Sequence, residues 1–232
     1  MSLHSQLRRT GRSPPLRVKI CGVCSGCDAQ AAAEAGAFAI GLNFVSGPRQ
    51  ITLSQAEAIL RALPPLVTPV ALVRLVEGIL PSEMLEFLGI HWLSWVQLYG
   101  DVTPDGVHRL QRDHFRVITV HRVADPSFAD QVQSLLAVYR PSAVLLDAPG
   151  GSREGGAGRT FDWEWVRQAR QTGVMDDWPP LILAGGLTTR NVAQAVAVAQ
   201  PWAVDVSSGV ERAPGKKDAA KMRAFVRAAG GT

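Results

Sequence analysis

Short apolar segments alternate with longer, more polar segments along the chain, and this alternation occurs eight times. Each apolar segment is brief and mostly β-branched or aliphatic, which is typical of strands that are buried on both faces of a sheet. The pattern therefore predicts eight parallel strands. They are Arg17–Cys21, Ala39–Phe44, Thr68–Val73, Trp95–Leu98, Arg116–Val120, Ala143–Asp147, Leu181–Ala184 and Ala203–Val206.

The segments between these strands have helical patterns. Gln55–Leu63 follows Ser54, a suitable N-cap residue, and Phe161–Gln171 has Asp162 in its predicted first turn. Ala219–Ala229 is the predicted closing helix. Eight βα units of about 25 to 30 residues are typical of an α/β protein, and we expect a single (β/α)8 TIM barrel.

A doubly wound sheet is the alternative fold. In a dinucleotide-binding sheet of that kind, a glycine-rich turn follows the first strand. Here the first strand runs into Cys21-Gly22-Val23-Cys24, which is not a G-x-G-x-x-G pattern. The glycine-rich turns follow strands six, seven and eight instead, and this favours the barrel. We expect residues 17–232 to form one catalytic barrel domain, with Gly150–Gly158 as a long active-site loop and candidate lid.

Composition narrows the class of protein. The chain has 232 residues, of which 47% are hydrophobic and 19% charged, and this excludes a disordered protein, a coiled coil and a collagen-like fibre. No run of about 18 apolar residues occurs, so we expect no membrane span.

The distribution of charge argues against a nucleic-acid partner. The net charge is +4, but residues 1–17 contain four arginines and no acidic residue, which leaves 20 basic and 20 acidic residues in 18–232. A nucleic-acid enzyme would show a basic stripe on its folded body. Residues 1–16 lack both helical periodicity and an apolar core, so we interpret them as a flexible basic tail and not as a secretory signal. An organelle transit peptide is the alternative.

The three cysteines are Cys21, Cys24 and Cys27. Their odd number and tight clustering argue against a disulfide framework and favour a reducing cytoplasm. The C-x2-C-x2-C spacing is similar to iron–sulfur ligand runs, but such a cluster usually has four ligands and the chain has no fourth cysteine. We therefore expect neither a metal nor a cofactor.

Polar residues at strand ends are the candidates for chemistry, because a barrel carries its active site there. Alternation places Lys19 and Cys21 on the same inward side of strand one, and Asp147 inward at the end of strand six. Asp205 lies inward and one layer lower on strand eight, where it can pair with Lys19 in a closed barrel. We interpret that pair as structural first, although it also brings a positive charge near Cys21.

The inward thiol of Cys21 has two interpretations. A buried cysteine often behaves as a small hydrophobic residue. Here, however, Cys21 shares the barrel mouth with the carboxyl group of Asp147. A thiol with a pKa of about 8.5 is a few per cent ionised at pH 7, and a nearby lysine that lowers this pKa makes it a competent general base. We favour the catalytic interpretation.

Two glycine-containing turns predict a phosphate site. Gly185-Gly186 follows strand seven and Ser207-Ser208-Gly209 follows strand eight, where phosphate sites recur in barrels. Glycines let backbone N–H groups approach an anion, and a short helix from Ser208 would direct its amino end towards it. After strand two, Arg49 follows Gly47-Pro48 and is either a bidentate carboxylate ligand or a solvated surface arginine.

Taken together, these segments resemble the phosphoribosylanthranilate isomerase family of tryptophan biosynthesis. The resemblance runs from about residue 17 to the C-terminus. The matching segments are Val18–Gly22, Gly41–Phe44 with Pro48-Arg49, Val96–Leu98, Leu145–Asp147, Gly158–Trp163, Leu183–Leu187, Asp205–Glu211 and Pro214–Asp218.

The resemblance implies a cofactor-free Amadori rearrangement of a phosphorylated aminosugar. By position, Asp147 is the general acid that protonates the ribose ring oxygen, and Cys21 is the general base that removes the C2 proton. Arg49 holds the anthranilate carboxylate. Gly186, Ser208 and Gly209 bind the phosphate.

One position departs from the family. The family usually continues Val-Gln-Leu with His-Gly, whereas Tyr99-Gly100 follow here. By alternation Tyr99 faces inward near the mouth, and a phenol can donate a hydrogen bond but cannot replace an imidazole in acid–base work near pH 7. Two other functions stay open: a related barrel isomerase that acts on another aminosugar phosphate, and a non-catalytic barrel that binds a phosphorylated ligand. The expected state is a monomer or a homodimer.

Overall fold

The structure is a computed structural model that describes residues 16–100, 102–149 and 160–230. Eight parallel strands close into a barrel in chain order, each one paired with the next and β8 paired with β1. The fold predicted from the sequence is therefore confirmed. The strands are β1 (Arg17–Cys21), β2 (Ala39–Asn43), β3 (Thr68–Arg74), β4 (Trp95–Tyr99), β5 (Arg116–Arg122), β6 (Ala143–Asp147), β7 (Leu181–Leu183) and β8 (Ala203–Val206).

One α-helix follows each strand in the described part of the chain. They are α1 (Gly26–Glu34), α2 (Leu53–Ala62), α3 (Ser82–Ile90), α4 (Pro104–Arg112), α5 (Phe128–Leu136), α6 (Glu164–Gln171), α7 (Val192–Ala199) and α8 (Ala219–Ala228). Between β8 and α8 the chain forms a 3-10 turn, Ser208–Val210, and a short hairpin of β9 (Glu211–Ala213) and β10 (Lys216–Lys217). No helix of these ranges is long and apolar enough to cross a membrane.

Two hydrophobic clusters result from the alternation of side chains along the strands. Val18 and Ile20 belong to the larger cluster, here named the outer cluster, which also contains the buried residues of the helices. Cys21 belongs to a smaller cluster, here named the inner cluster, formed by the residues that alternate with those of the outer cluster on the same strands. Since residues of a strand point alternately to its two faces, the smaller cluster fills the inside of the barrel. The predicted inward orientation of Cys21 is thereby confirmed.

Two helix starts differ from the prediction. Helix α2 begins at Leu53 with Thr52 as its N-cap, and Thr52 and Gln55 form a reciprocal capping box, so the choice of Ser54 is wrong. Helix α6 begins at Glu164, and Asp162 precedes it and accepts a hydrogen bond from the Glu164 N–H at 2.9 Å. The chain therefore enters this helix through a side-chain-stabilised turn.

Two predictions fall on residues outside the described ranges. They are the basic tail over residues 1–16, of which only Leu16 is described, and the candidate lid at Gly150–Gly158. Both stay predictions.

Candidate active site

The thiol of Cys21 lies at the carboxyl end of β1, inside the barrel mouth, with only 6% of the residue exposed. The neighbouring strand makes room for it. A Cβ atom at Gly41 would lie 2.8 Å from Cys21 Sγ, closer than side chains pack. The missing side chain of this glycine inside β2 therefore leaves the space that the thiol occupies.

A buried ion pair lies one layer below the thiol. Lys19 and Asp205 face each other in the register of β1 and β8, and Lys19 Nζ donates to Asp205 Oδ1 at 2.8 Å. Both residues are less than a tenth exposed. The predicted pair is confirmed. Burial is the largest single effect and would lower the pKa of Lys19, but the charges of Asp205 and Cys21 and the hydrogen bonds to them together outweigh it and raise that pKa, so the ammonium stays charged.

Opposing charges act on the Cys21 thiol. Burial, and then the negative charge of Asp205, raise the pKa of Cys21 above that of an ordinary thiol. The ammonium groups of Lys19 and Lys217 lower it again, without reversing the direction. The thiol is therefore protonated at neutral pH, and the expectation that a nearby lysine lowers its pKa below the ordinary value is wrong, because burial and Asp205 outweigh the lysines.

The carboxyl group of Asp147 lies at the carboxyl end of β6, on the same face of the strand as the inner-cluster residues Ala143 and Leu145. It is half-buried and accepts a hydrogen bond from the Ala148 N–H at 2.8 Å. Burial, and then the charge of Asp205, raise the pKa of Asp147 to about 6, whereas the Ala148 N–H opposes this rise. A carboxyl group with such a pKa can hold a proton near neutral pH.

Asp205 links the two groups, because its charge raises the pKa of both Cys21 and Asp147. The barrel strands therefore place the thiol of Cys21 and the carboxyl group of Asp147 within the electrostatic influence of one carboxylate, that of Asp205. The roles of these two groups as acid and base stay predictions.

Arg49 lies in the loop after β2, and it is not a solvated surface arginine. Its Nε and Nη2 atoms donate to the two carboxylate oxygens of Glu211 at 2.8 and 2.7 Å, and its side chain is 11% exposed. A Cβ at Gly22 would lie 2.5 Å from Arg49 Cδ, so the arginine passes directly over the residue that follows Cys21.

A buried lysine extends this network towards β8. Lys217 Nζ donates to Glu211 Oε1 at 2.8 Å and to the backbone oxygen of Ser207 at 3.2 Å, and its side chain is fully buried. Burial is the largest single effect and would raise the pKa of Glu211, but the hydrogen bonds and the charges of Arg49 and Lys217 together lower it, so Glu211 stays ionised. Glu211 thus connects the arginine after β2 with the loop after β8.

The two predicted phosphate turns lie against each other. A Cβ at Gly209 would collide with the backbone oxygen of Leu187, so only glycine lets the loops after β7 and β8 approach this closely. The carbonyl oxygen of Gly186 accepts a hydrogen bond from Asn191 Nδ2 at 3.0 Å, and the predicted short helix is the 3-10 turn that begins at Ser208. The role of these turns in binding an anion stays a prediction.

Gly185 packs against the segment that follows β6 instead of lying in an open turn. It has a φ of +85°, and an added Cβ would collide with the backbone nitrogen of Ala148. That nitrogen is the donor to Asp147, so the glycine allows β7 to support the segment that orients the carboxyl group.

Sequence reasoning missed three residues of this site: Gly41, Glu211 and Lys217. A glycine inside a strand was the available signal for Gly41, because it often marks a close approach. Glu211 and Lys217 lie in β9 and β10, which have three and two residues, and strands this short show no alternation that could indicate burial.

The other two cysteines do not extend into a metal site. Cys24 Sγ lies 3.6 Å from the backbone oxygens of Gly22 and Arg49, and Cys27 is exposed. In the described ranges no group of three or more His, Cys, Asp or Glu side chains is arranged to hold a metal ion.

Comparison with known proteins places this geometry in context. A family model described as N-(5'phosphoribosyl)anthranilate (PRA) isomerase matches residues 18–228. A relative from Geobacter sulfurreducens, named N-(5'-phosphoribosyl)anthranilate isomerase, is 43% identical over 217 residues, which cover 93% of this chain and 99% of the relative. A relative of the same name from Pseudomonas savastanoi pv. phaseolicola is 42% identical and covers 94% of this chain and 98% of its own.

Solved structures agree. The crystal structure of phosphoribosyl anthranilate isomerase from Thermotoga maritima has a TM-score of 0.80 and 33% identity, covering 92% of this chain and 98% of that one. A second structure of such an enzyme, in complex with reduced 1-(o-carboxyphenylamino)-1-deoxyribulose 5-phosphate, has a TM-score of 0.76 and 32% identity over the same shares.

Proposed function

The chain belongs to the N-(5'-phosphoribosyl)anthranilate isomerase family, and we propose that Cys21 and Asp147 are the general base and the general acid of its reaction. It is an isomerase of tryptophan biosynthesis that converts N-(5'-phosphoribosyl)anthranilate into 1-(2-carboxyphenylamino)-1-deoxyribulose 5-phosphate. The observation that carries the assignment of roles is the inward thiol and the inward carboxyl group at the ends of β1 and β6, both under the charge of Asp205.

Asp147 opens the sugar ring. Its protonated carboxyl group gives a proton to the ribose ring oxygen, the bond between that oxygen and C1 breaks, and the nitrogen lone pair forms a protonated imine at C1. The pKa of about 6 suits this step, because the group holds its proton more tightly than an ordinary aspartate and still releases it near neutral pH.

Cys21 then removes the proton from C2, and the electron pair of the C–H bond neutralises the imine to give an enolamine. Tautomerisation of the enolamine yields the ketose. The ammonium of Lys19 lies near the thiol and favours its ionised form at the moment of proton abstraction.

The reactive form of the pair holds one proton, on Asp147 and not on Cys21. The resting form at neutral pH also holds one proton, on the thiol. The two forms therefore differ only in the position of that proton, so their ratio does not depend on pH between the two pKa values. A small fraction of the reactive form is sufficient, since a thiolate with a raised pKa is a stronger base.

We propose that two anion contacts fix the ends of the substrate. Arg49, oriented by Glu211, holds the anthranilate carboxylate, and the backbone N–H groups around Gly186, Ser208 and Gly209 hold the phosphate. Gly185 precedes Gly186 in the turn after β7, and Ser207 begins the turn after β8, where its backbone oxygen accepts a hydrogen bond from Lys217. With both ends fixed, orientation supplies much of the acceleration. The buried contact of Glu211 with Arg49 supports a rigid carboxylate site.

We infer a cytoplasmic enzyme, because free thiols persist in a reducing compartment and the three cysteines are unpaired. A monomer and a homodimer are both compatible with the site, since every proposed catalytic and binding residue belongs to one chain. Sedimentation equilibrium of the purified protein distinguishes the two states.

Complementation of a tryptophan auxotroph that lacks this step tests the function, together with turnover by purified protein. Wild type should restore growth, whereas Cys21→Ala and Asp147→Asn should not. Cys27→Ala is the matched control, because that thiol is exposed and should be dispensable. Growth and turnover at the wild-type level in both site variants would contradict the proposed roles.

A further inference from the structure

Tyr99 is a residue of the barrel mouth that the mechanism above does not use. It ends β4, and its ring packs against the inner cluster that contains Cys21. The inward orientation expected from alternation is thereby confirmed. The residue is partly exposed, and it stands at the carboxyl end of β4, the same end of the barrel as Cys21 and Asp147.

Gln97 sets the direction of the phenol proton. Gln97 is completely buried one layer below, and its Nε2 donates to Tyr99 Oη at 3.2 Å. Because the phenol oxygen accepts this hydrogen bond, its single O–H is left to donate elsewhere. If the side-chain amide of Gln97 were turned by 180°, its Oε1 would accept a hydrogen bond from the phenol, and the phenol proton would point into the barrel. Both N–H groups of Gln97 Nε2 would then lie buried without partners. In the described structure only Oε1 of Gln97 lacks a partner.

The charges around the phenol keep it neutral. Burial, followed by negative charge at Cys21, Asp147 and Asp205, raises the pKa of Tyr99 well above its ordinary value. At neutral pH, where the Cys21 thiol holds its proton, the carboxylate of Asp147 at the end of β6 is the negative charge at the mouth that attracts the O–H dipole. Tyr99 is therefore a fixed hydrogen-bond donor that does not exchange its proton during turnover.

We propose that Tyr99 is a third substrate-contacting residue, whose phenol O–H donates a hydrogen bond to the C2 oxygen of the bound aminosugar phosphate. The assignment rests on the proposed function. Cys21 takes the proton from C2. Tyr99 packs against the same inner cluster and lies within electrostatic reach of Cys21, so we assign the oxygen on that carbon as its acceptor. This oxygen is a hydroxyl in the substrate and in the enolamine. During tautomerisation its proton leaves and C1 takes up a proton, and a neutral donor stabilises the negative charge that forms on the oxygen as the carbonyl develops.

The test compares two substitutions at position 99. Tyr99→Phe keeps the ring and removes the donor, and we expect kcat to fall about 10- to 100-fold. The lower value corresponds to the loss of one neutral hydrogen bond, and the higher value to the loss of one donor to a forming oxyanion. Tyr99→His removes the phenol ring but returns an N–H donor, and we expect it to retain most of the activity. Tyr139→Phe is the matched control, because Tyr139 is a buried tyrosine in the outer cluster and should leave turnover unchanged.

A spectroscopic measurement tests the contact without a variant at the site. The chain has two tyrosines, so Tyr139→Phe leaves Tyr99 as the only one. With 13Cζ-labelled tyrosine, the reduced compound 1-(o-carboxyphenylamino)-1-deoxyribulose 5-phosphate should shift the single resonance on binding. This compound carries an oxygen at C2 that can accept the hydrogen bond.

The outcomes separate this inference from the proposed function. Turnover of folded Tyr99→Phe at the wild-type rate, or equal losses in Tyr99→Phe and Tyr99→His, would overturn the role of the donor while leaving the isomerase intact. A bound ligand that leaves the tyrosine resonance unmoved would do the same. Absence of turnover by the wild-type protein in the kinetic comparison would contradict the proposed function itself.

Discussion

Replacement of Asp147 by asparagine should remove turnover and, at alkaline pH, stabilise the fold. The folded protein holds the proton of this carboxyl group with a pKa of about 6, compared with 3.8 for an ordinary aspartate. An ionised Asp147 is therefore less favourable in the folded state than in the unfolded chain. The amide variant carries no such charge and keeps an oxygen to accept the hydrogen bond from Ala148.

The magnitude follows from the shift in pKa. One pKa unit corresponds to about 1.4 kcal/mol, so the full difference is about 3 kcal/mol. Because the carboxyl group is only half-buried, solvent screens part of this difference and we expect about 2 kcal/mol. The contribution of Asp147 to stability is fully present below pH 3.8 and is lost as the pH rises through about 6.

Urea denaturation of wild type and Asp147→Asn at pH 4 and pH 8 measures this effect. The variant should gain about 2 kcal/mol relative to wild type between the two pH values. Asp125→Asn is the control, because hydrogen bonds from Ser127 lower the pKa of that exposed carboxyl group, and its variant should gain nothing at pH 8. An equal stability difference between wild type and Asp147→Asn at both pH values would refute the reasoning.

Three further predictions concern the same site. Plotted against pH, the kcat/KM of wild type should rise through about pH 6 as the Asp147–Cys21 pair loses its first proton, stay level, and fall only above the ordinary pKa of a thiol as the pair loses its second. A profile with only one of these two transitions would contradict a reactive pair that holds one proton. Gly185→Ala should lower kcat, because the added Cβ would displace the Ala148 N–H that donates to Asp147. Gly230→Ala should not, because Gly230 has a similar φ of +82° but open space around an added Cβ, and equal effects of the two variants on kcat would show that Gly185 does not help to orient Asp147. Glu211→Gln should raise KM about tenfold by weakening a charge-assisted contact with the arginine after β2, and an unchanged KM would exclude that role.

The sequence predicts the residues whose position follows from regular alternation. On β1, alternation alone places Lys19 and Cys21 on one face. Closure of the barrel puts β8 beside β1, so the pairing of Lys19 with Asp205 follows from the strand register. These positions are confirmed because a strand has only two faces and a closed barrel leaves no freedom in the choice of neighbours.

The sequence does not predict contacts between segments that lie outside the barrel strands. Arg49 and Glu211 are 162 residues apart, and both lie outside the barrel strands, so no register links them. The wrong N-cap has a different cause. The Thr52-x-x-Gln55 capping box is visible in the sequence, but Ser54 lies nearer to the apolar residues that follow and competes for the same role.

A crystal structure of this protein with reduced 1-(o-carboxyphenylamino)-1-deoxyribulose 5-phosphate tests the pairing of acid and base most directly. The phosphate should lie on the N–H groups of the turns after β7 and β8. The Cys21 sulfur should lie beside C2, and the Asp147 carboxyl group should approach the sugar from another side. A ligand that touches only one of these two side chains, or whose phosphate lies away from both turns, would contradict the account.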